Sequence, residues 1–363
     1  MKEVAIKDIC KKDSSALKQK ELLPEGKYPV FGASGIAGYL DRYHQKKEYI
    51  GIVKDGSGIG RVAFYPAESS LIGTMQYVLP KENYDIRYIG YCLQSLDLSK
   101  YKQGAAIPHI YFRDYGEQLV KVTDNWEEQH SIVSRLDSAF SHIDALKANA
   151  EKQLNEARKL FQAELTECMK PKEGWEEKRI KEVGEVIGGT TPSTTNPLFW
   201  GGDICWISPA ELHGEHYLYD SVKKITKEAV EAKSLKELPI GTVILSSRAP
   251  IGKIAINKVP MYCNQGFKCV VCKSELYNEY LYWWFYGKKE YLNSLGTGAT
   301  FLEISKTVVE NIIIPIPPLD TQQAIVSHLD SLSSTIRKLE ELQQKTFAEC
   351  DALKQAMLRE VFE

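Results

Sequence analysis

The sequence predicts an α+β protein built from a duplicated module: two globular domains joined by a long antiparallel two-helix coiled coil, with an internal pseudo-two-fold repeat. Three observations carry this. The chain repeats itself at long range, and two segments carry sustained apolar stripes of helical spacing. The remainder alternates short β-branched runs with glycine and proline turns.

The repeat is the strongest of the three. Ile132–Leu146 reads IVSRLDSAFSHIDAL and Ile325–Leu339 reads IVSHLDSLSSTIRKL; at an offset of 193, Ser131–Leu146 and Ala324–Leu339 share nine of sixteen residues without a gap. The match continues more weakly through Lys152/Lys345, Glu156/Glu349, Leu160/Leu353 and Leu165/Leu358. Solenoid units run to a few tens of residues, so a period this long is a duplicated domain-plus-helix module.

Each copy contains one long helix. In the first, from about Asn125 to Lys170, the predicted seam is Ile132, Leu136, Phe140, Ile143, Leu154 and Phe161. In the second it is Ile325, Leu329, Ile336, Leu339, Leu353 and Met357. Spacings of three and four over about five heptads, without glycine or proline, fit a coiled-coil seam better than a helix buried on a globular core. Asn125 with Glu128, and Asp320 with Gln323, have the spacing of a capping box. At 1.5 Å per residue each helix spans roughly 65 Å. Each helix could instead pair with another chain, but two seams of matching length in one polypeptide are buried most economically against each other. Such a pair is a spacer. The expected organisation is domains at 1–125 and 171–318, with helices at 126–170 and 319–363.

The modules echo each other upstream of the helices. Val4–Ile9 matches Lys178–Val183, Ile59–Ala63 matches Ile251–Ala255, and Gln76 aligns with Gln265. Between these points they differ almost completely. Strands are expected over Tyr49–Val53, Arg61–Tyr65, Thr242–Leu245, Lys253–Ile256 and Asn311–Ile316, and aromatic-rich helices over Ile86–Leu96 and Asn278–Leu295, their rings packing the core.

Composition narrows the class. The 363 residues are too many for one ordinary core, and 43% hydrophobic with 26% charged content is that of a globular protein. No apolar run approaches the ~20 residues of a membrane span, and the first residues lack a signal-peptide core, so a cytoplasmic location is expected. The eight cysteines would then be reduced thiols. A net charge of −2 excludes a polybasic binder but leaves room for a local cationic face.

The strings KYPVFGASGIAGYLD (Lys27–Asp41), GGTTPSTTNPLFWGGDICWISPAEL (Gly188–Leu212), LSSRAPIGKIAI (Leu245–Ile256), CNQGFKCV (Cys263–Val270) and IPIPPLDTQQAIVSHLD (Ile314–Asp330) resemble those of the specificity subunit of a Type I restriction-modification system. The likeness covers nearly the whole chain. It implies two target-recognition domains, each reading half of a split double-stranded DNA site, and two helices that set the gap between halves and dock two modification (methyltransferase) subunits. Restriction (translocase) subunits would join through these. The first domain departs from the pattern, opening with a KYPVFGASG loop rather than GGTTPS.

The chain itself is expected to be non-catalytic. Ile316-Pro317-Pro318-Leu319 lacks the polar first residue and the aromatic that adenine methylation needs, and Gly252-Lys253 is followed by Ile254 rather than the hydroxyl of a phosphate loop. S-adenosylmethionine, ATP and magnesium would belong to partner subunits. No metal is expected: Cys269-Val270-Val271-Cys272 has no second ligand pair, and His213 and His216 have no third ligand.

DNA contact requires hydroxyls, amides, Arg or Lys on protruding elements. The candidates are Thr191, Ser193, Thr194 and Asn196 on the hydroxyl-rich loop, with Ser247, Arg248, Lys253 and Gln265 in the second module. Arg248 is suited to a guanine edge and Lys253 to phosphate. The first module offers Tyr43, Lys54, Ser57, Arg61 and Gln76. The expected function is sequence recognition within a Type I complex. The alternatives are a stand-alone tandem DNA-binding regulator and a non-catalytic protein adaptor.

If the helices act as a ruler, inserting four residues in both adds ~6 Å, and at about 3.4 Å per base pair lengthens the gap between half-sites by roughly two pairs. Sequencing of methylated adenines in a strain carrying the insertions checks this; an unchanged gap refutes it.

Overall fold

The computed structural model describes residues 1–105, 107–248, 250–298 and 302–363. The chain divides into two compact units, Met1–Lys152 with Leu342–Glu363, and Gln153–Glu341. Each unit therefore contains one α+β domain and a stretch of both long helices.

In the first unit, strand Lys2–Ala5 pairs antiparallel with Leu119–Val122 and ties the two ends of the domain together. The main sheet has the order Cys10–Ser14, Met75–Pro80, Tyr49–Val53, Val62–Tyr65, all antiparallel. Its centre is Tyr49–Val53, an uninterrupted buried run, as expected of a strand covered on both faces. Gly51 in this strand is required sterically, because a Cβ there would lie 2.5 Å from the Tyr65 ring. A smaller sheet sets Tyr28–Gly32 between Gly35–Leu40 and Ser70–Leu71, the latter parallel. Helix Ile86–Ser95 starts where the Asp85 carboxylate accepts from the Arg87 and Tyr88 amides, and it buries Tyr88, Ile89, Tyr91, Cys92 and Leu93.

The second unit repeats this plan. Glu176–Arg179 pairs with Ile313–Ile316. The main sheet runs Gly184–Gly188, Lys268–Cys272, Val243–Leu245, Ile254–Asn257, with Tyr217–Leu218 added at the edge. The smaller sheet holds Trp200–Ile207 between Lys223–Ile225 and a parallel Tyr262–Cys263. The aromatic helix is broken into Asn278–Gly287 and Lys289–Ser294, with Tyr280, Trp283, Trp284 and Phe285 buried in the core. The sheet register corrects one expected equivalence. Ser14 faces Gln76 and Gly188 faces Lys268 at the same place in the two ladders, so the counterpart of Gln76 is Lys268, not Gln265.

The long helices span Trp126–Cys168 and Leu319–Phe362. Asn125 caps the first as expected, accepting from the Glu128 amide. The second begins one residue earlier than its expected cap, directly after Pro318, so Asp320 lies within its first turn. In each unit the two helices run antiparallel. The ion pairs Asp144–Lys354 and Lys147–Asp351 show this in the first unit, and Arg158–Glu340 and Glu164–His328 in the second. Ile132, Leu136, Ile143, Leu154 and Leu329 are buried, and Phe140, Phe161, Ile325, Ile336 and Met357 are partly so. Leu339 and Leu353 are not seam residues, being 37% and 52% exposed. An α-helix turns every 3.6 residues, so a three-and-four pattern followed over several heptads drifts off the buried face. Val133, Val326, Leu358 and Phe362 are buried instead.

One buried polar contact occurs twice. Gln129 and Gln322, 193 positions apart, are each fully buried. The Gln129 side chain accepts from the Asp85 amide (2.8 Å) and donates to the Asn83 and Thr123 carbonyls. The Gln322 side chain accepts from the Tyr277 amide (2.8 Å) and donates to the Glu275 and Pro317 carbonyls. Two turns further on, Tyr91 donates to Asp137 in the first unit, and Trp283 donates to Asp330 (2.9 Å) in the second.

Replacing Gln129 or Gln322 with Leu orphans one amide and two carbonyls in the interior. At roughly 1–3 kcal/mol per unsatisfied group, partly relieved by water, each variant should lose about 3 kcal/mol. Urea unfolding should show the loss in the unit that carries the substitution; a loss under about 0.5 kcal/mol would refute the role.

Candidate nucleic-acid interface

The hydroxyl loop of the second unit begins at a glycine that nothing else could replace. A Cβ on Gly189 would fall 2.0 Å from the Asn264 carbonyl oxygen and 2.2 Å from that of Cys263. This close approach lets the Thr190 amide donate to the Cys263 carbonyl (2.9 Å). Two indoles fasten the loop from beneath, Trp206 Nε1 to the Thr190 carbonyl and Trp200 Nε1 to that of Ser193, both at 3.1 Å. Asn196 closes it by accepting from the Leu198 amide. Ser193 and Thr194 are exposed on the loop, Ser193 sharing a 2.8 Å hydrogen bond with Thr195.

The loop is continuous with a charged cluster. The Thr191 hydroxyl donates to the exposed Gln265 side chain. The Lys268 ammonium, nearly buried, reaches the Gln265 carbonyl (3.3 Å), the Ser247 hydroxyl (3.2 Å) and Glu303 (3.3 Å). Glu303 also takes the Nε of Arg248 at 2.9 Å, while the Arg248 side chain stays 45% exposed. Thr191, Gln265, Ser247 and Arg248 are thus brought together. Two of the expected contacts need correction. Ser247 is fully buried and serves Lys268 rather than solvent. The Lys253 ammonium is taken by the Pro209 and Leu212 carbonyls (3.0 and 2.7 Å), so it holds a loop in place instead of projecting toward phosphate.

In the first unit, Lys54, Ser57 and Arg61 surround a glycine-rich turn in which Gly56 and Gly58 have φ of 85° and 95°, a left-handed conformation open to glycine. Ser57 and Arg61 are exposed. Burial, followed by repulsion from Lys12, lowers the Lys54 pKa. Tyr43 packs edge-on against Tyr28 at 5.0 Å. Gln76 is a further correction: it is buried and accepts from the Tyr115 hydroxyl at 2.6 Å. The ladder position it shares with Lys268 points into the domain.

The most informative groups in this region were absent from the expected set. Asp55 bridges His109 through the backbone, and Gln103 pairs with His109; Arg248 bridges Glu303, and Thr297 pairs with Glu303. The two frames coincide, yet an acid and an imidazole in one become a guanidinium and a carboxylate in the other. The Asp55 carboxylate meets His109 Nδ1, whose ring lies 4.0 Å from that of Tyr111. Burial, then the Lys54 charge, depresses the His109 pKa. No string in the sequence links these partners, because each pair forms only when a distant hairpin folds back.

The residues considered for metal binding have other roles. His216 is stacked between Tyr217 and Tyr282 and meets Glu279 at 2.8 Å. Cys269 on the main sheet faces Cys263 on the smaller one across a buried 3.8 Å gap. No described helix is long and apolar enough to cross a membrane.

The family model for the Type I restriction modification DNA specificity domain matches residues 1–156 and again 172–346. The chain belongs to that family. It is 41% identical over 187 residues to the MjaIX specificity subunit of Methanocaldococcus jannaschii, a match covering 50% of this chain and 43% of that one. It is 28% identical over 266 residues to the EcoR124I/EcoR124II specificity subunit of Escherichia coli, covering 70% and 65%. The matches thus span less than two thirds of either relative. The fold agrees with a solved chain of a type I R-M system at a TM-score of 0.75 and 18% identity, covering 98% of this chain and 96% of that one. It also agrees with the HsdS subunit of Thermoanaerobacter tengcongensis at 0.56 and 18%, covering 98% and 95%. Membership of the family and the duplicated α+β architecture both follow the expectations from sequence.

Burial acts to raise the Glu303 pKa, but the hydrogen bonds from Arg248 and Lys268 outweigh it and the net shift is downward. A depressed carboxylate stabilises the fold above its unfolded-state pKa and loses that contribution as pH falls through the folded value. Glu303→Gln should therefore unfold more readily than the parent near neutrality. The two urea midpoints should converge as pH drops below the ordinary glutamate range; a constant difference would show that the ion pairs do not matter.

Proposed function

We propose that this chain is the sequence-reading subunit of a Type I restriction-modification assembly. Each domain reads one half of a bipartite double-stranded DNA site, and the long helices dock two adenine-N6 methyltransferase subunits, through which the restriction subunits join. The chain performs no chemistry itself. S-adenosylmethionine, ATP and magnesium are handled by the partners, and the complex acts in the cytoplasm.

The observation that carries this reading is the conserved frame with exchanged charge. Two domains of the same strand order hold Asp55 with His109 in one and Arg248 with Glu303 in the other, at matching bridges. Tandem readers of two different half-sites require a common scaffold with different polar tips. In the second domain, Arg248, Gln265, Thr191, Ser193 and Thr194 supply donors and acceptors suited to base edges and phosphates. Asn196 braces the loop that carries the last three. Tyr43, Lys54, Ser57 and Arg61 are the corresponding contacts of the first domain.

Docking is supported by four exposed leucines that obey the repeat. Leu146 and Leu353 lie in the first unit and are 59% and 52% exposed; Leu160 and Leu339 lie in the second and are 71% and 37% exposed. At the offset of 193, Leu146 matches Leu339 and Leu160 matches Leu353. Each unit thus presents one leucine from each helix, the duplicated apolar patch that two identical partners require. In the second unit the leucines border an open groove of about 410 Å³ with Phe161, Leu332 and Ile336.

The test is single-molecule sequencing of adenine methylation in cells carrying the partner methyltransferase, with and without this chain. A split motif that appears only with the chain, and in which exchange of residues 171–318 changes one half alone, supports the reading. Arg248→Ala should relax one base position in that half, at about 1–3 kcal/mol of discrimination. Methylation unchanged by the chain would overturn the reading and leave a DNA-binding regulator or an adaptor.

A further inference from the structure

The helix pair of the second unit brings together three chemically different side chains. Glu164 and Cys168 are one turn apart on the first helix and share a face. His328 projects from the antiparallel second helix toward them. Glu164 Oε1 lies 3.0 Å from His328 Nε2 and 3.5 Å from Cys168 Sγ, and the three ligand atoms all fall within 4.8 Å of one another.

These separations are close to those of a tetrahedral zinc site. With Zn–N and Zn–O near 2.0–2.1 Å and Zn–S near 2.3 Å, tetrahedral angles place nitrogen and oxygen roughly 3.3 Å apart and sulfur and oxygen roughly 3.6 Å apart. We propose that Glu164, Cys168 and His328 form a binding site for a borderline divalent cation, zinc foremost, which clips the two helices of this unit together.

The donor set argues for zinc over calcium or magnesium. Thiolate and imidazole are ligands of the borderline and soft metals, whereas the hard cations require oxygen. In the metal-free arrangement the Cys168 thiol and the imidazole both direct hydrogen bonds at one carboxylate oxygen. The cation replaces these hydrogens at the centre of the triangle: the thiol proton leaves to solvent, and the imidazole carries its proton on Nδ1 instead of Nε2, which frees the Nε2 lone pair for the metal. The Glu164 and His328 side chains are 46% and 49% exposed, which leaves an entry route and a fourth position for water. The sulfur-to-nitrogen edge, within 4.8 Å, is the side that a bound cation draws in.

The site is not a feature of the shared framework. At the repeat offset of 193, His328 corresponds to Arg135, Glu164 to Met357 and Cys168 to Val361. In the first unit Met357 and Val361 pack against the hydrophobic core. The second unit therefore carries a cross-helix clip where the first has apolar packing.

The experiment titrates the full-length chain, free of any histidine tag, with Co²⁺ and then Zn²⁺. The expected result is one cobalt per chain with a thiolate-to-metal charge-transfer band and intense tetrahedral ligand-field bands, all erased by one equivalent of zinc. Cys168→Ser should abolish the charge-transfer band, and His328→Ala should weaken cobalt affinity at least tenfold, with circular dichroism unchanged in both. Cys350→Ser, on the same helix pair, should bind as the parent does. Absence of the charge-transfer band in the folded parent, or its survival in Cys168→Ser, would overturn the proposal.

Discussion

Two buried glutamine side chains fix how each domain meets its helices. An amide in the interior is tolerable only if its oxygen and both its hydrogens are matched, since an unmatched polar group costs more than a made hydrogen bond returns. Gln129 and Gln322 meet that condition with the same three kinds of partner. One backbone amide and one carbonyl come from the segment leading into the aromatic helix, and one carbonyl comes from the segment leading into the long helix. The amide thus joins the starts of two helices that are far apart in sequence. Asp137 and Asp330, two turns along the same helix face, then accept from Tyr91 and Trp283. A single polar contact would leave the aromatic helix free to swing about it; two contacts eight residues apart set its direction.

With that attachment fixed, the rest of each domain is free to vary. The ladders Cys10–Ser14 with Met75–Pro80, and Gly184–Gly188 with Lys268–Cys272, keep register although their side chains differ. The exchanged polar partners sit where the hairpins fold back, at Asp55 and His109 in one unit and Arg248 and Glu303 in the other. An arginine whose Nε is held by a carboxylate is oriented before any ligand arrives, which lowers the ordering cost of a directional contact. The nearly buried Lys268 ammonium keeps Glu303 ionised and in place. Both cations are needed for the geometry, and only Arg248 remains well exposed.

The scaffold was largely legible in the sequence, and the polar tips were not. Periodicity located the long helices and the duplicated strings located the modules, because both signals reside in contiguous residues. The aspartates of the two LDS triplets were visible as repetition, but their partners Tyr91 and Trp283 were not, since the pairing is tertiary. Gln129 and Gln322 sit one residue from positions read as capping groups, and a glutamine at a helix start looks like a solvated one. Gln76, Ser247 and Lys253 were placed outside because their residue types suit DNA. Each is turned inward by a neighbour that no local pattern reveals: Tyr115, Lys268 and the Pro209–Leu212 carbonyls. Glu164, Cys168 and His328 escaped for the same reason, the histidine lying far along the chain from the other two.

The misplacement of Leu339 and Leu353 is informative in its own right. A strict seven-residue repeat would keep every apolar residue in one seam by supercoiling the helices. This sequence departs from it. Lys147 interrupts the first stripe and pairs with Asp351 beside Phe347, and Lys354 pairs with Asp144 over the Phe140 ring. The lysine stems cover the aromatic rings at the helix interface, and Leu146 and Leu353, each adjacent to one of these lysines, are turned outward. Leu339 and Leu160 are displaced likewise in the second unit, next to the Glu340–Arg158 pair. Ion pairs bridging the two helices and leucines on the outer face are therefore two consequences of one departure from the heptad. The same departure occurs in both units, although a fully apolar seam would bury more surface.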